Sequence, residues 1–200
     1  MKSELSKNLS LIVIIVFFIG FAYITLKAIQ ISNKTQISTG EGIYTNKVST
    51  SKEIASKAFE LTNECKSELC EVQSILDYVT NIPYKINHFR ANSPQKTIQN
   101  NFGDCDDKSN LLISMLHSLG KEAYFVLVPK HIFVITPITD RRLRNTKGVV
   151  VDGKKYFILE STAKGSQVGF PLRYNINEIN AIVEPFSNKK LQYKILQYKI

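Results

Sequence analysis

The spacing of hydrophobic and polar positions changes along this chain, and each change predicts a different kind of segment. Residues 9–26 contain no charged side chain and consist largely of Leu, Ile, Val and Phe. As a helix, this stretch would be roughly 27 Å long, close to the hydrocarbon thickness of a bilayer. The pattern therefore predicts one transmembrane helix, and we assign residues 1–31 to an N-terminal membrane anchor.

A cleaved secretory signal and a buried core helix are the alternative interpretations of this segment. A signal has a shorter apolar region followed by small residues at a cleavage site, whereas this run ends in Tyr-Ile-Thr-Leu before Lys27. The sequence therefore favours an uncleaved anchor. Charge leaves the topology open, because Lys2 and Lys7 before the span are balanced by Lys27 and Lys34 after it.

The composition becomes mostly polar after the anchor. Residues 32–50 include Gly40 and Gly42, which is typical of a linker between a membrane segment and a folded domain. The remaining 51–200 is long enough to bury a substantial core, so we expect one folded domain there.

Helical periodicity dominates the first half of this domain. Apolar positions recur at helical spacing in 51–63 and again in 67–81, which predicts two helices. Prolines then interrupt the pattern, so 82–101 is predicted to be irregular. A third helix is expected over 105–120, because its leucines share one face and a glycine stands where a left-handed cap is needed.

Strand-like runs dominate the second half. Helices followed by an antiparallel sheet predict an α+β fold. The closing Leu-Gln-Tyr-Lys-Ile repeat is expected to be a last strand or a frayed tail. The predicted strands are 123–128, 132–136, 148–151 and 155–159, with Asp152-Gly153 as a hairpin turn between the last two.

Three cysteines divide into a close pair and a separate one. Cys65 and Cys70 can form a disulfide only if the chain reverses between them, as it would between two helices. Such a bridge persists in an oxidising compartment, which favours a domain outside the cytoplasm. Two unpaired structural cysteines are the alternative, and a zinc site lacks a second ligand pair at the usual spacing.

The formal net charge of +9 is consistent with attraction to an anionic surface such as lipid head groups or a wall polymer. The basic residues are scattered and are not interleaved with aromatic residues. The distribution therefore gives no reason to expect nucleic acid as a partner.

Candidate chemistry centres on the third cysteine. Cys105 lies at the start of a predicted helix, where the helix dipole would lower the pKa of its thiol. His131 begins a strand that could bring an imidazole against the sulfur, and Glu160 ends a strand and could orient that imidazole. Asp152 is a rival for the orienting role, but its position before a glycine marks it first as a turn residue.

The order and context of these residues resemble a known family. The stretch 102–112, FGDCDDKSNLL, resembles the Gly-x-Cys-x-Asp/Glu core of transglutaminase-like domains. That family continues with a histidine that begins a strand, an Asp-Gly turn, an aromatic strand, and an acidic residue before a small residue and Thr. This chain offers His131 and the run 152–162, so the resemblance covers roughly 67–162.

The resemblance implies a papain-like fold whose nucleophile begins a helix packed on an antiparallel sheet. It implies Cys105, His131 and Glu160 as a catalytic triad. Two features depart from the family: its third member is most often Asp, and the basic segment 140–145 lengthens a hairpin that is usually tighter. This insertion either borders the substrate cleft or is a solvated loop.

The oxyanion of a tetrahedral intermediate needs a second donor beside the N–H of Cys105. Gln99, six residues upstream, resembles the papain-type donor, and a polar loop without a catalytic role is the alternative. Asp104, Asp106 and Asp107 could suggest a calcium loop, but acidic residues near a helix start also complement its dipole. We expect no metal and no cofactor.

These observations predict a thiol enzyme that acts on amide bonds of peptides or proteins through an acyl thioester. Hydrolysis is preferred to crosslinking, since no additional domain that would recruit an amine donor is evident. A membrane-tethered peptide- or wall-binding module without catalysis is the alternative. We expect a single-pass membrane protein whose domain lies outside the cytoplasm.

Overall fold

Five α-helices and nine strands form the part of the chain that the computed structural model describes, residues 2–39, 42–87 and 91–200. Met1 of the predicted anchor, 40–41 of the predicted linker and 88–90 of the predicted irregular stretch lie outside it. The helices are α1 (Lys2–Thr35), α2 (Lys52–Thr62), α3 (Glu68–Asn81), α4 (Pro94–Asn100) and α5 (Cys105–Ser118). The strands are β1 (Gln36–Thr39), β2 (Gly42–Thr45), β3 (Tyr124–Val128), β4 (His131–Thr136), β5 (Gly148–Val151), β6 (Lys154–Leu159), β7 (Ala181–Glu184), β8 (Lys189–Lys190) and β9 (Leu196–Lys199).

The central feature is a seven-stranded antiparallel sheet in the order β8-β7-β3-β4-β6-β5-β9. Strand β4 lies in its middle and pairs with β3 and β6, with Val134 opposite Leu159. Helix α5 packs against β4. Helices stacked on an antiparallel sheet confirm the predicted α+β class.

The two faces of the sheet bury different clusters, because side chains alternate between faces along each strand. The helix-side face carries Ile132, Val134, Phe157 and Leu159, which join the helices in one core. The opposite face carries Phe133 and Ile158, and the segment 170–176 and the last strand cover it.

Helix α5 is the most deeply embedded helix of the domain. Its side chains from Asp107 to Leu116 are all buried. Asp104 caps its first turn by accepting a hydrogen bond from the Asp107 N–H, and Gly120 follows its end with φ +71°, as a left-handed cap requires. Lys108 donates from Nζ to the Ile82 carbonyl at 2.8 Å, and this bond fixes the end of α3 to α5.

Much of the predicted linker belongs to the folded domain. Strands β1 and β2 form a hairpin, and the residues after it, 45–49, lie along α5. Asp106, Asn110 and Ser114, one helical turn apart, accept hydrogen bonds from backbone N–H groups of this 45–49 segment at 3.0, 2.6 and 3.1 Å. The boundary at residue 51 is therefore misplaced, because the segment docks through polar contacts that a hydrophobic pattern does not register.

The predicted irregular stretch contains a helix. Ser93 accepts a hydrogen bond from the Lys96 N–H, and Pro94 occupies the first turn of α4. Proline is tolerated there because the first N–H groups of a helix have no intrahelical partner. At the end of the chain, β9 pairs with β5, so this part of the repeat is a strand and not a frayed tail.

Helix α1 contributes little to the domain core. Residues Asn8–Ile31 form one helix that is long and apolar enough to cross a membrane, with mean hydropathy 2.7. None of that stretch is buried against the rest of the described chain. Its large apolar side chains, such as Phe17 and Ile24, are exposed by more than half.

Candidate active site

Cys105 is the first residue of α5, and its side chain is half-buried. The residue before it, Asp104, also accepts a hydrogen bond from the Asn87 N–H at 3.2 Å. The sulfur therefore lies beside a helix N-terminus, at a corner where the 82–87 loop meets α5.

Gly103 allows this loop to approach the helix closely. Its backbone N–H donates to the Pro83 carbonyl at 3.2 Å, and its carbonyl accepts from the Lys85 N–H at 3.1 Å. A Cβ at this position would lie 2.8 Å from Asp107 Cβ and 3.2 Å from Thr97 Cγ2. Only glycine fits without displacing these atoms, which gives the glycine of the motif a steric reason.

The acidic residue of the motif, Asp107, has a structural role. It is buried and accepts hydrogen bonds from the Asn92 N–H at 2.5 Å and from Asn92 Nδ2 at 3.0 Å. Burial, with a smaller contribution from the charge of Asp104, raises the pKa of Asp107 to about 6. The carboxylate thus ties the segment before α4 to the first turn of α5.

His131 and Glu160 are joined directly. His131 begins β4 and Glu160 follows the last residue of β6, and antiparallel pairing brings these strand ends to the same edge. His131 Nε2 lies 2.8 Å from Glu160 Oε2, while Glu160 Oε1 accepts from the N–H and Oγ1 of Thr162 at 3.0 and 2.6 Å. Burial alone would raise the pKa of Glu160, but these hydrogen bonds outweigh it and hold the pKa below its usual value.

A buried hydroxyl pair brings the helix start to this strand edge. Ser109 Oγ lies 3.1 Å from Ser161 Oγ, and both residues are fully buried. Ser109 is one helical turn after Cys105 and therefore lies on the same face of α5. Ser161 directly follows Glu160. The start of α5, which carries Cys105, therefore lies near the strand edge that carries His131 and Glu160.

The electrostatic environment of Cys105 opposes thiolate formation. Burial, reinforced by the charges of Asp106 and Asp104, raises the pKa of the thiol far above its usual value. The thiol donates a hydrogen bond to Asp106 Oδ1 at 3.6 Å. The expectation of a lowered pKa was therefore wrong for this state, because two adjacent carboxylates and burial outweigh the helix dipole.

The Asp106 carboxyl changes its charge at weakly acidic pH. Burial raises its pKa to about 6, although the hydrogen bond from the Thr45 N–H opposes that shift. Its Oδ2 accepts that bond at 3.0 Å, so Asp106 connects the 45–49 segment to the thiol.

Two tyrosines border the site, and sequence analysis had not identified either. Burial raises the pKa of Tyr84, which lies on the 82–87 loop, and a negative charge on Cys105 would raise it further. Burial and then the charges of Glu160 and Cys105 raise the pKa of Tyr174, whose ring stacks on His131 with centroids 6.3 Å apart. Tyr84 follows a proline in a predicted irregular stretch, and Tyr174 lies beyond the recognised motifs.

The other sequence-predicted candidates lie in different settings. Gln99 is exposed on α4. Asp152 is in a turn with φ +47° and accepts hydrogen bonds from the N–H groups of Lys194 and Ile195, so it does not reach the imidazole. In the basic insertion, Arg142 pairs with Asp140.

Cys65 and Cys70 are bonded, with their Cα atoms 5.4 Å apart. The chain reverses between α2 and α3 at this point, as a bridge over so short a separation requires. Ser67 caps α3 within the loop by accepting from the Cys70 N–H. Cys105 is the free cysteine of the described chain.

Asp104, Cys105 and Asp106 are the residues nearest to a metal-binding arrangement in the described chain, with one ligand atom each within 4.8 Å of one another. Both carboxylates already accept backbone N–H groups, from Asn87 and Thr45. The cluster is accounted for by the helix start and its neighbouring loops.

A cavity of about 170 Å³ borders the histidine–glutamate pair. Its lining includes Phe133 and Ile158 of the sheet and Phe170 and Leu172 of the segment that follows β6. Arg173 and Tyr174 also line it.

Residues 55–134 match the family model described as Transglutaminase-like superfamily. The matched region contains Cys105 and His131, whereas Glu160 lies beyond it. No curated protein matches the chain.

Several solved structures are similar to this chain, and three of them are described here. A candidate cysteine protease from Cytophaga hutchinsonii has TM-score 0.48 and 16% identity, over 74% of this chain and 50% of that one. A candidate protease from Parabacteroides distasonis has TM-score 0.46 and 15% identity, over 71% and 27%. LapG of Legionella pneumophila has TM-score 0.37 and 11% identity, over 60% and 77%. The chain thus spans half or less of the first two.

Proposed function

We propose that this chain, whose residues 55–134 match the model of the transglutaminase-like superfamily, is a thiol enzyme that cleaves amide bonds of peptides or proteins. Cys105 is the proposed nucleophile, His131 the base and Glu160 the residue that orients the histidine. The observation that carries the proposal is the 2.8 Å contact between His131 Nε2 and Glu160 Oε2 at the strand edge tied to the start of α5.

The hydrogen-bond pattern assigns each ring nitrogen a task. Glu160 engages Nε2, so Nδ1 is the nitrogen available to take the proton from the Cys105 thiol. The sulfur then attacks the amide carbonyl to form a tetrahedral adduct. As this adduct collapses, the C–N bond breaks, the imidazolium gives its proton to the leaving amine, and a thioester remains on Cys105. Water, deprotonated by the same imidazole, releases the acid and restores the thiol.

The raised pKa of the Cys105 thiol determines when its proton is transferred. With Asp106 ionised and the thiol half-buried, the proton stays on sulfur in the free protein. Transfer to His131 is then expected in concert with attack, as in serine enzymes, and not from a preformed thiolate. A bell-shaped pH profile would report the coupled groups and no single residue.

Glu160 suits the orienting role despite being longer than the usual Asp. Thr162 holds one of its oxygens through two hydrogen bonds, which leaves the other oxygen directed at the imidazole. Ser166 Oγ also donates to the Glu160 backbone carbonyl at 2.7 Å. The two bonds from Thr162 restrain the additional rotatable bond of glutamate, and the Ser166 bond fixes its backbone.

For the oxyanion, we propose the Cys105 N–H and the Tyr84 hydroxyl in place of Gln99. The first N–H groups of a helix lack intrahelical partners and point toward a developing negative charge. Backbone hydrogen bonds on either side of Tyr84 hold its loop against Gly103, close to Cys105, which supports Tyr84 over Gln99 on α4.

The test compares four full-length proteins in detergent: wild type, Cys105→Ala, His131→Ala and His117→Ala. The last is the matched control, since His117 packs on Phe186, away from the strand edge. Cleavage of a peptide library should be lost in Cys105→Ala, fall at least about 100-fold in His131→Ala, and persist in His117→Ala. Equal cleavage by wild type and Cys105→Ala would overturn the proposal, and incorporation of a labelled amine would show transamidation in place of hydrolysis.

A non-catalytic binding module is the second candidate, and the raised pKa of Cys105 is the observation that favours it. A binding module needs no thiolate. If Cys105→Ala binds peptides like wild type and neither protein cleaves any of them, this second function is preferred.

We further propose that α1 anchors the chain in a membrane with the domain outside the cytoplasm. The apolar span and the bonded Cys65–Cys70 pair support this arrangement. Protease added to intact cells or spheroplasts should digest the domain, and thiol blocking without reductant should label Cys105 but not the pair. A domain protected from external protease would reverse the orientation.

A further inference from the structure

The cavity beside the histidine–glutamate pair has the size of one side chain. Its volume is about 170 Å³, and an apolar protein cavity of about 150 Å³ accommodates benzene. Side chains alternate along β4 and β6, so Phe133 lies on the same sheet face as His131, and Ile158 on the same face as Glu160. The histidine–glutamate pair and these two apolar residues therefore line the same cavity. We call this cavity the dyad pocket, defined by His131, Glu160, Phe133, Ile158, Phe170 and Leu172.

The position of the dyad pocket indicates which part of a substrate would enter it. In the proposed reaction the imidazolium must protonate the leaving nitrogen, so the leaving side of the substrate lies over His131. His131 itself lines the pocket. The residue immediately after the scissile bond is therefore the one whose side chain can reach it.

The rim of the pocket carries a cation. The Arg173 guanidinium lies 4.7 Å from the centroid of the Phe170 ring and is exposed. It forms no ion pair with any residue that the structure describes, whereas the acidic lining residue Glu160 is engaged by His131 and Thr162. An arginine held at the mouth of an apolar pocket is suited to a carboxylate on the bound molecule.

We propose that the dyad pocket is the specificity pocket for the leaving side of a peptide substrate, taking an aromatic or branched aliphatic side chain there, with Arg173 binding a carboxylate next to it. This inference rests on the proposed function and names its substrate class. The carboxylate is either an acidic side chain or the free C-terminus of the peptide, and Arg173 recognises the chemistry common to both.

The first experiment measures kcat/KM for peptides that differ only after the scissile bond, with Phe, Leu, Gly or Lys at that position. Wild type should prefer Phe or Leu to Gly by at least about tenfold, the usual yield of filling an apolar pocket. Ala163 also lines the cavity, so Ala163→Leu adds bulk there and should bring that ratio toward one. Ala55→Leu is the matched control on α2 and should keep the wild-type ratio.

The second arm varies the carboxylate. Arg173→Gln should lose about three- to tenfold on peptides with an acidic residue or a free C-terminus, and nothing on neutral, amide-capped peptides. Arg144→Gln is the control, because Arg144 is exposed in the basic insertion, outside the dyad pocket. Comparing an acidic, amide-capped peptide with a neutral, free-acid peptide separates the two sources of the carboxylate.

A binding measurement distinguishes failure of the pocket from failure of the enzyme. Cys105→Ala is titrated with the dipeptides Phe-Asp and Gly-Asp, and binding is followed by saturation-transfer NMR. Preference for Phe-Asp that Ala163→Leu abolishes supports the pocket even if no cleavage is found. Equal binding of both dipeptides, or a Phe-to-Gly cleavage ratio near one in wild type, overturns it.

Discussion

Replacing Asp106 by Asn should make Cys105 more reactive. Asp106 Oδ1 accepts the thiol hydrogen bond, and its Oδ2 accepts the Thr45 N–H. An asparagine has nearly the same shape and retains one oxygen for the Thr45 N–H. Its amide nitrogen can then face the sulfur as a donor, which stabilises the thiolate.

The magnitude follows from the separation of the two groups. The sulfur and the carboxylate oxygen lie 3.6 Å apart, and two unit charges near 4 Å repel by about 1 kcal/mol in water and about 4 kcal/mol at an effective dielectric constant of 20. At about 1.36 kcal/mol per pKa unit, removing the charge lowers the thiol pKa by about 0.7 to 3 units. A less basic thiolate is also a weaker nucleophile, with a Brønsted slope of about 0.45, so the net gain in alkylation rate is about two- to fiftyfold.

The assay is the second-order rate of iodoacetamide modification at Cys105, read by mass spectrometry from pH 5 to 8. The pKa of Asp106 is about 6, so the wild-type carboxylate is charged above that pH and neutral below it. The ratio of variant to wild-type rates should therefore be largest near pH 8 and approach one near pH 5. A ratio of one across the range, with the thermal midpoint unchanged, would refute the electrostatic argument.

Three further predictions concern stability. Gly103→Ala should lower the unfolding free energy by about 1–3 kcal/mol, because its methyl group would overlap buried atoms, and the thermal midpoint measures this. Ser109→Ala and Ser161→Ala should each cost about 1–3 kcal/mol by leaving the other hydroxyl buried without its partner, while the double variant should cost less than the sum in denaturant titrations. Replacing both Cys65 and Cys70 by serine should lower the unfolding free energy by about 2 kcal/mol, the loop entropy of so short a bridge. Reductant should then have no further effect on the stability of this double variant.

The sequence pattern predicted the apolar parts of the fold well. Helices α2, α3 and α5 and strands β3–β6 follow hydrophobic periodicity, since each buries an apolar face. Helix α4 is not visible in the pattern, because a proline such as Pro94 usually ends a helix, although a proline in the first turn is compatible with one.

The 45–49 segment was missed for a different reason. Its contacts with α5 join backbone N–H groups to polar side chains at Asp106, Asn110 and Ser114. In a pattern of hydrophobic positions, polar residues indicate exposure to solvent. Nothing in the sequence shows that these side chains instead accept hydrogen bonds from the backbone of the 45–49 segment.

The candidate site was predicted by resemblance, with the contact between His131 and Glu160 as its geometric counterpart. The electrostatic environment of Cys105 could not be predicted from the resemblance. A helix N-terminus is visible in a sequence, but the burial of Cys105 and the direction of the Asp106 carboxylate depend on the folded chain. Tyr174 likewise reaches the site only because the 170–176 segment crosses the sheet.

The docking of the 45–49 segment limits the distance between the candidate active site and the membrane. If α1 spans a bilayer as proposed, the span ends at Ile31 and the hairpin begins at Gln36, within the same continuous structure. The helix between them rises only about 7 Å, and a domain of this length is about 40 Å across. Cys105 is therefore confined to a layer within roughly 50 Å of the lipid surface. A substrate must enter that layer before Cys105 can act on it, so a bond held farther than this from the membrane is out of reach.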